Sequence, residues 1–202
     1  MPGYSRAAFR AGAFVTMMFC TCTAFAAAAA PPPPHFVLEP SKSLLRFSFV
    51  QAGASNTGRF GKYTADVLFS NDNLAASKID VSIDIASLDT GDKERDDTLK
   101  GADLFDVKKF PAARFVSSKI VSSGAGRYEA QGKLTIRNVT KDIKLPITWQ
   151  TKAEGGKTFG YLTGRSALKR LEYGVGQGDW KSTEWVNDDV GVTFSLRLAL
   201  AQ

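Results

Sequence analysis

The stretch VGVTFSLRLAL, residues 190–200, decides the fold, because apolar residues alternate with small or polar ones through its whole length. The apolar side chains occupy every second position: Val190, Val192, Phe194, Leu196, Leu198 and Leu200. Successive side chains of a β-strand point to opposite faces, so this pattern predicts a strand with one buried face.

The same alternation recurs upstream in the runs 45–49, 79–85, 134–136 and 143–149. Further strands are expected at Tyr63 to Phe69, Arg114 to Val121, Arg127 to Gly132 and Gly160 to Leu168. Turn-forming clusters at 71–73, 122–126 and 154–157 separate these runs. About eight short strands predict an all-β domain, and periodicity alone leaves a sandwich and an antiparallel barrel as alternatives.

One long interruption, from Thr90 to Pro111, contains TLKGADLF and predicts a short helical segment near residues 92–106. The faces opposite the apolar stripes carry Lys, Arg, Asp and Glu. An outer-membrane barrel needs a broad apolar face toward lipid, so this composition disfavours one.

The N-terminus predicts export. Arg6 and Arg10 precede a short apolar run, and Ala24-Phe25-Ala26 has small residues where a signal peptidase cuts. The expectation is a signal peptide over residues 1–26, cleaved near Ala26, and a periplasmic protein. An uncleaved membrane anchor is the alternative, but the apolar run is short of the roughly 20 residues that a span needs.

An Ala/Pro-rich spacer, residues 27–35, is expected to lead into a single domain over residues 36–202. Both cysteines, Cys20 and Cys22, fall in the expected signal peptide, so the domain must be stabilised by its core rather than by disulfides. The net charge is +6 and its basic residues are dispersed. That distribution disfavours nucleic-acid binding and is compatible with transient contact with an anionic membrane surface.

Residues for catalysis are scarce. The only histidine, His35, follows four prolines and is expected to be solvated. Without a second histidine or a cysteine in the domain, serine triads, cysteine nucleophiles and zinc sites lack their residues. The sequence also contains neither a GxGxxG nor a Walker-type phosphate loop. The domain is therefore expected to have no catalytic residues, and a non-enzymatic function is favoured.

An acidic cluster is the exception: Asp89, Asp92, Glu94, Asp96, Asp97, Asp103 and Asp106. Paired carboxylates suit glycoside hydrolysis, and several together suit a hard cation. Because Lys and Arg are interleaved with the acids, a structural role is favoured, with no metal site. Asp96 and Asp106 are expected to hold the segment from Thr90 to Phe110 in place.

Four stretches together resemble the YceI-like family of exported polyisoprenoid-binding proteins. They are SLDTGDKERDDTLKGADLFDVKKFPAARF (87–115), GRFGKY (58–63) after the strand FSFV, GKLTIRNVTKDIKLPI (132–147) and LKRLEYGVGQGDWKSTEWVNDDVGVTFSLRL (168–198). Two positions depart from the family pattern. Gln51 stands about where many members have a histidine, so a ligand contact by that histidine is not carried over, and Asn138 stands where glycine is frequent.

The resemblance implies an eight-stranded, antiparallel, lipocalin-like barrel whose apolar interior holds an isoprenoid or another long-chain amphiphile. No cofactor other than such a bound lipid is expected. The inward stripes then supply the expected ligand-binding residues: Phe47, Phe49, Val81, Ile83, Phe115, Leu134, Ile136, Ile147, Trp149, Phe194 and Leu196.

The function expected from this combination is a periplasmic lipid-binding carrier. Two other functions remain as alternatives: a structural or stress-related interaction module, and a carbohydrate-active enzyme that uses the acidic cluster. The sequence identifies neither the ligand nor the pathway, and a homodimer is among the oligomeric states that it leaves open.

Overall fold

The computed structural model describes residues 30–201, together with Gly3. The expected signal peptide, its cleavage site at Ala26 and both cysteines lie outside the described residues. The helix is α1 (Lys93–Lys100), and the strands are β1 (His35–Leu38), β2 (Leu44–Gln51), β3 (Ala54–Phe60), β4 (Tyr63–Leu68), β5 (Lys78–Asp84), β6 (Leu88–Asp89), β7 (Ala112–Gly124), β8 (Arg127–Ile136), β9 (Val139–Glu154), β10 (Lys157–Lys169) and β11 (Val186–Leu200).

These strands form a closed, eight-stranded antiparallel barrel. Its ring runs β1-β4-β5-β7-β8-β9-β10-β11 and closes where β1 pairs with β11. The remaining strands extend the wall at one end, since β2 pairs with β11, β3 with β2, and β6 with β3. The predicted barrel, with one short helix, is confirmed.

Strands β1 and β2 share one edge of β11. β1 pairs with its last residues, Leu198 to Leu200, whereas β2 pairs with residues from Val186 to Ser195. A single 3-10 turn, Pro40–Lys42, separates the two strands. Proline cannot donate to a strand ladder, which accounts for the interruption at that point.

The two ends of the barrel differ in packing. At one end, here the closed end, the Trp149 ring lies 5.0 Å from Phe36 and 4.6 Å from Phe69, measured between ring centroids. Phe69 also packs edge-on against Tyr128 at 5.0 Å. All four rings are buried, so this end is filled by side chains. The opposite end, here the mouth, carries α1 and the β2–β3 turn.

The segment around α1 covers part of the mouth, and its acids hold it in place. Asp92 caps the helix by accepting from the Arg95 amide. Asp96 accepts hydrogen bonds from the Thr90 amide at 2.9 Å and from the Thr90 hydroxyl at 2.7 Å. Asp106 is buried and lies 3.3 Å from the ammonium group of Lys109. These contacts agree with the structural role that the sequence predicts for Asp96 and Asp106, and its effect on stability stays a prediction.

The observed strands depart from the predicted ones mainly in length and number. The separate runs predicted at 127–132 and 134–136 form one continuous strand, β8. Strands β1, β3 and β6 lie outside the predicted runs. β1 begins at His35, whose Nε2 lies 2.9 Å from the Asp66 carboxylate. Across residues 30–201, no helix combines the length and apolarity needed to cross a bilayer.

Candidate functional site

The mouth of the barrel contains a cavity of about 450 Å³, here called the mouth cavity. Strand β2, the α1 segment and the loop that follows β10 form its walls, and charged side chains occur only around α1 and at Arg170. Its lining residues are Phe47, Phe49, Gln51, Asp92, Glu94, Arg95, Thr98, Leu99, Leu104, Phe105, Ile136, Leu168, Arg170, Tyr173, Val175, Trp180, Val186 and Val190. A volume in the range of about 300–1,000 Å³ is typical of small-molecule sites.

A second cavity, here called the inner cavity, lies inside the barrel and has a volume of about 170 Å³. Its lining side chains are apolar except for those of Tyr63 and Ser166. They are Leu45, Phe47, Phe60, Tyr63, Ile79, Val81, Ile83, Ile85, Phe105, Ala113, Phe115, Leu134, Ile136, Ile143, Leu145, Ile147, Leu162, Ser166, Leu168, Val190, Val192, Phe194 and Leu196.

The two cavities share five lining residues, here called the neck: Phe47, Phe105, Ile136, Leu168 and Val190. The cavities are therefore adjacent along the barrel. Together they form an apolar path that starts at the solvent-facing mouth and ends inside the barrel, short of the aromatic rings of the closed end, none of which lines either cavity. Such a path suits a slender apolar chain with a polar group left at the mouth.

Two glycines next to the cavities keep aromatic rings against the barrel wall. A Cβ atom at Gly58 would lie 2.3 Å from the Phe47 ring, and one at Gly164 would lie 2.3 Å from the Phe194 ring. Each ring therefore lies flat over a strand position that has no side chain. Glycine in a strand often marks such a close approach. Because these rings lie along the wall, space remains at the centre of the barrel.

Arg170 holds the loop that forms one wall of the mouth cavity. The residue is 5% exposed. Its guanidinium donates five hydrogen bonds, between 2.6 and 3.1 Å, to the backbone oxygens of Val175, Trp180, Ser182, Val186 and Asn187. Burial lowers the pKa of Arg170 below its usual value, and Asp188 opposes that shift. An arginine remains charged in either case, so it fixes the loop as a cation surrounded by carbonyl dipoles.

The rim of the mouth cavity carries both signs of charge. Asp92 and Glu94 lie beside Arg95, whose guanidinium is 3.8 Å from the Asp92 carboxylate. Within residues 30–201, no group of three His, Cys, Asp or Glu side chains is arranged to hold a metal ion. The mixed rim offers hydrogen bonds to a head group without selecting an anionic or a cationic one.

The structure brings most of the predicted ligand-binding residues together. Nine of them line the inner cavity, and Phe49 lines the mouth cavity. Trp149 lines neither cavity, because it packs among the rings of the closed end. Contact with a ligand remains a prediction for the ten that line a cavity.

Sequence reasoning missed the residues of the mouth that come from irregular segments. Leu99, Phe105, Tyr173 and Trp180 belong to the helix and loops, where no period-two signal exists. Leu45, Ile143, Leu145 and Val190 were detectable, since they lie on the same apolar stripes as the predicted residues.

Comparison with known proteins identifies relatives across almost the whole barrel. Residues 36–198 match the family model described as the YceI-like domain. A UPF0312 protein of Vibrio vulnificus is 32% identical over 136 residues, which cover 66% of this chain and 68% of the relative.

Two solved structures show the same architecture. The crystal structure of Burkholderia cenocepacia BcnA superposes with a TM-score of 0.74 at 34% identity, covering 79% of this chain and 98% of BcnA. A domain from Saccharophagus degradans, described as polyisoprenoid-binding and implicated in plant cell wall breakdown, superposes with a TM-score of 0.65. It is 15% identical and covers 84% of this chain and 99% of that domain, so at this identity the likeness concerns the fold.

Proposed function

Because this chain belongs to the family of YceI-like domains, we propose that it binds a polyisoprenoid or a similar long-chain amphiphile inside its barrel. The apolar chain occupies the inner cavity, and the polar end stays near the rim of the mouth. The observation that carries this proposal is the apolar path formed by the two cavities and their shared neck. The description of the Saccharophagus domain as polyisoprenoid-binding supports the choice of ligand class.

Burial of the chain supplies the affinity. Each buried CH₂ contributes about 0.8 kcal/mol, so a few isoprene units offer well over ~10 kcal/mol before costs. Loss of translational and rotational freedom removes about 4–15 kcal/mol of this gain. Since the inner cavity has almost no polar side chains, affinity should depend more on chain length than on the head group.

The proposed function is that of a binding protein rather than of an enzyme. The only histidine, His35, is predicted from the sequence to be solvated rather than catalytic. That residue lies on β1, which pairs with the last residues of β11 away from the mouth, and its ring contacts Asp66. A carbohydrate-active enzyme would need carboxylates facing a polar cleft, whereas the path here is apolar.

Export and a carrier role belong to the same proposal. The N-terminal segment has the pattern of a signal peptide, which supports export and a carrier role outside the cytoplasm. N-terminal sequencing of the protein purified from the periplasm should give a start near Ala27. An intact Met1 on the folded, exported protein would contradict cleavage.

Titration with isoprenoid alcohols of increasing length tests the binding function directly. Affinity should rise with each added unit until the chain reaches the closed end, and then level off. Native mass spectrometry of the protein purified from its own periplasm should show a co-purified lipid. Affinity that does not change with chain length, with no lipid carried through purification, would favour a structural interaction module instead.

A further inference from the structure

Tyr63 is an unusual residue for the interior of this barrel. It is the first residue of β4, and the alternation of that strand places it on the inward face with Ala65 and Val67. Those two neighbours are 3% and 0% exposed. The Tyr63 ring lines the inner cavity, whose other lining residues have apolar side chains apart from Ser166.

The hydroxyl of Tyr63 has no hydrogen-bond partner. Less than 1 Å² of its oxygen is exposed, and it is the one buried side-chain polar atom among residues 30–201 that lacks a partner. Tyr128, another inward-facing tyrosine, donates instead to Asn71 at 2.8 Å. An unpaired buried hydroxyl is costly compared with a phenylalanine ring of the same shape, so its presence points to a partner from outside the chain.

A water molecule is a poor candidate for that partner. A buried water is stable where it finds two to four polar groups, and only Tyr63 and Ser166 offer polar side chains around the inner cavity. An oxygen that is covalently part of a bound chain needs no such cluster, because the rest of the chain holds it in place.

We infer that Tyr63 donates a hydrogen bond to an oxygen atom carried part-way along the chain of the bound amphiphile. The ligand class is then a long chain with an internal carbonyl, hydroxyl or ether oxygen. This class belongs to the long-chain amphiphiles of the proposed function, on which the inference rests, and differs from a polyisoprenoid, whose hydrocarbon chain carries no oxygen. Tyr63 lines the inner cavity and not the mouth cavity, so this oxygen lies inside the barrel, apart from the head group at the mouth.

The chemistry of the hydroxyl fits this role. Burial raises the pKa of Tyr63, so the group stays protonated and acts as a donor. Less than 1 Å² of the oxygen is exposed in this structure, so the bond requires the Tyr63 side chain to move toward the ligand. The ring lies at the junction of β3 and β4, where its cross-strand partner is Ile83, another residue of the inner cavity.

The test compares the protein with its Tyr63→Phe variant, which keeps the ring and removes the hydroxyl. The probes are one saturated long-chain fatty acid and its mono-keto derivatives, with the carbonyl placed at successive positions along the chain. Titration by calorimetry should find one carbonyl position whose affinity falls about five- to tenfold in Tyr63→Phe. The affinity of the parent acid should stay the same or rise slightly.

A matched control is Tyr128→Phe, which also removes a buried tyrosine hydroxyl but lies outside both cavities. It should change neither affinity. Equal weakening of the parent acid and every keto derivative by Tyr63→Phe would overturn the inference, since that result describes packing. So would unchanged binding of all probes. If the unaltered protein bound isoprenoid alcohols but none of these probes, the inference would fail and the proposed function would stand; if it bound neither, both would fail.

Discussion

Substituting Gly58 by alanine should narrow the neck without unfolding the barrel. Gly58 lies on β3 opposite Phe47 on β2. The added Cβ would lie 2.3 Å from the Cζ atom of the Phe47 ring. Carbon atoms pack at about 3.5–4.0 Å, so the ring edge must retreat by more than about 1 Å. Because the ring lies against the wall of the barrel, it retreats toward the cavity.

The size of the effect follows from what lies beyond the neck. Phe47 lines both cavities, so a displaced ring obstructs the passage between them. If three or four CH₂ groups no longer reach the inner cavity, about 2.5–3 kcal/mol of binding free energy is lost. That loss weakens the binding of a long chain by about a hundredfold. A short chain held in the mouth cavity should be almost unaffected.

The fold should tolerate the change. Overpacking typically costs about 1–3 kcal/mol. Replacing glycine by alanine where the backbone is compatible stabilises the fold by about 0.4–1 kcal/mol, because alanine lowers the conformational entropy of the unfolded chain. Circular dichroism and urea unfolding of Gly58→Ala should therefore show a folded domain with modestly reduced stability.

Gly61→Ala is the matched control. The nearest atom to a Cβ at Gly61 is the backbone oxygen of Ser87 at 3.5 Å, an ordinary contact. Titration of both variants with isoprenoid alcohols of two lengths should show loss of long-chain affinity in Gly58→Ala alone. A folded Gly58→Ala protein that binds long chains as tightly as the unaltered protein would refute the path through the neck.

Four further outcomes are expected. Ile136→Asn places an unsatisfied amide at the neck and should weaken long-chain binding about ten- to a hundredfold. Lys133→Asn, on the exposed face of the same strand, should leave binding unchanged. Identical titration curves for the two variants would contradict this expectation. Arg170→Met leaves five backbone oxygens without their donor and should cost about 3–5 kcal/mol of unfolding free energy, measured by urea denaturation; a loss below ~1 kcal/mol would contradict its role in the loop. Asp96→Asn should lower the melting temperature without abolishing lipid binding, and calcium-dependent melting of the unaltered protein would argue for a metal site instead. Asp80→Asn should destabilise at neutral pH and progressively less in acid. The hydrogen bonds from Arg114 lower the pKa of Asp80. The stabilisation of the folded state is therefore present above the usual aspartate pKa and is lost as pH falls through the lowered value. A pH-independent difference in urea midpoint would contradict that linkage.

The long strands of the barrel were predictable because their residues alternate. β11 extends from Val186 to Leu200 and contains the whole alternating stretch of residues 190–200. β3 was not predictable, since ASNTGRF has a single large apolar residue and is held by pairing with β2 and β6. β6 has two residues, which is too short to show a period. Tertiary pairing rather than local sequence determines these two strands.

The sequence predicted which strand residues face the interior of the barrel, but not how far the cavities extend along it. Alternation assigns Ile147 and Trp149 to the same inward face of β9, yet Ile147 lines the inner cavity and Trp149 packs in the closed end. Period-two patterning carries no information on how far along the barrel a cavity extends. Trp180 was missed for a different reason. Its loop is positioned by Arg170, and that long-range hydrogen bond has no local sequence signal.

A barrel that holds a ligand must combine a stable core with an unfilled interior, and this chain separates the two along its axis. The closed end contains fully buried side chains such as Val67, Ala130 and Leu198, each 0% exposed. The mouth half contains the cavities, and there hydrogen bonds from Arg170 hold the loop wall together with the packing of Tyr173 and Val175 against the core. Large-to-small substitutions at the closed end should therefore reduce stability by the cavity that they create. The same substitutions at the neck enlarge space that already exists, so they should alter ligand selectivity more than they alter folding.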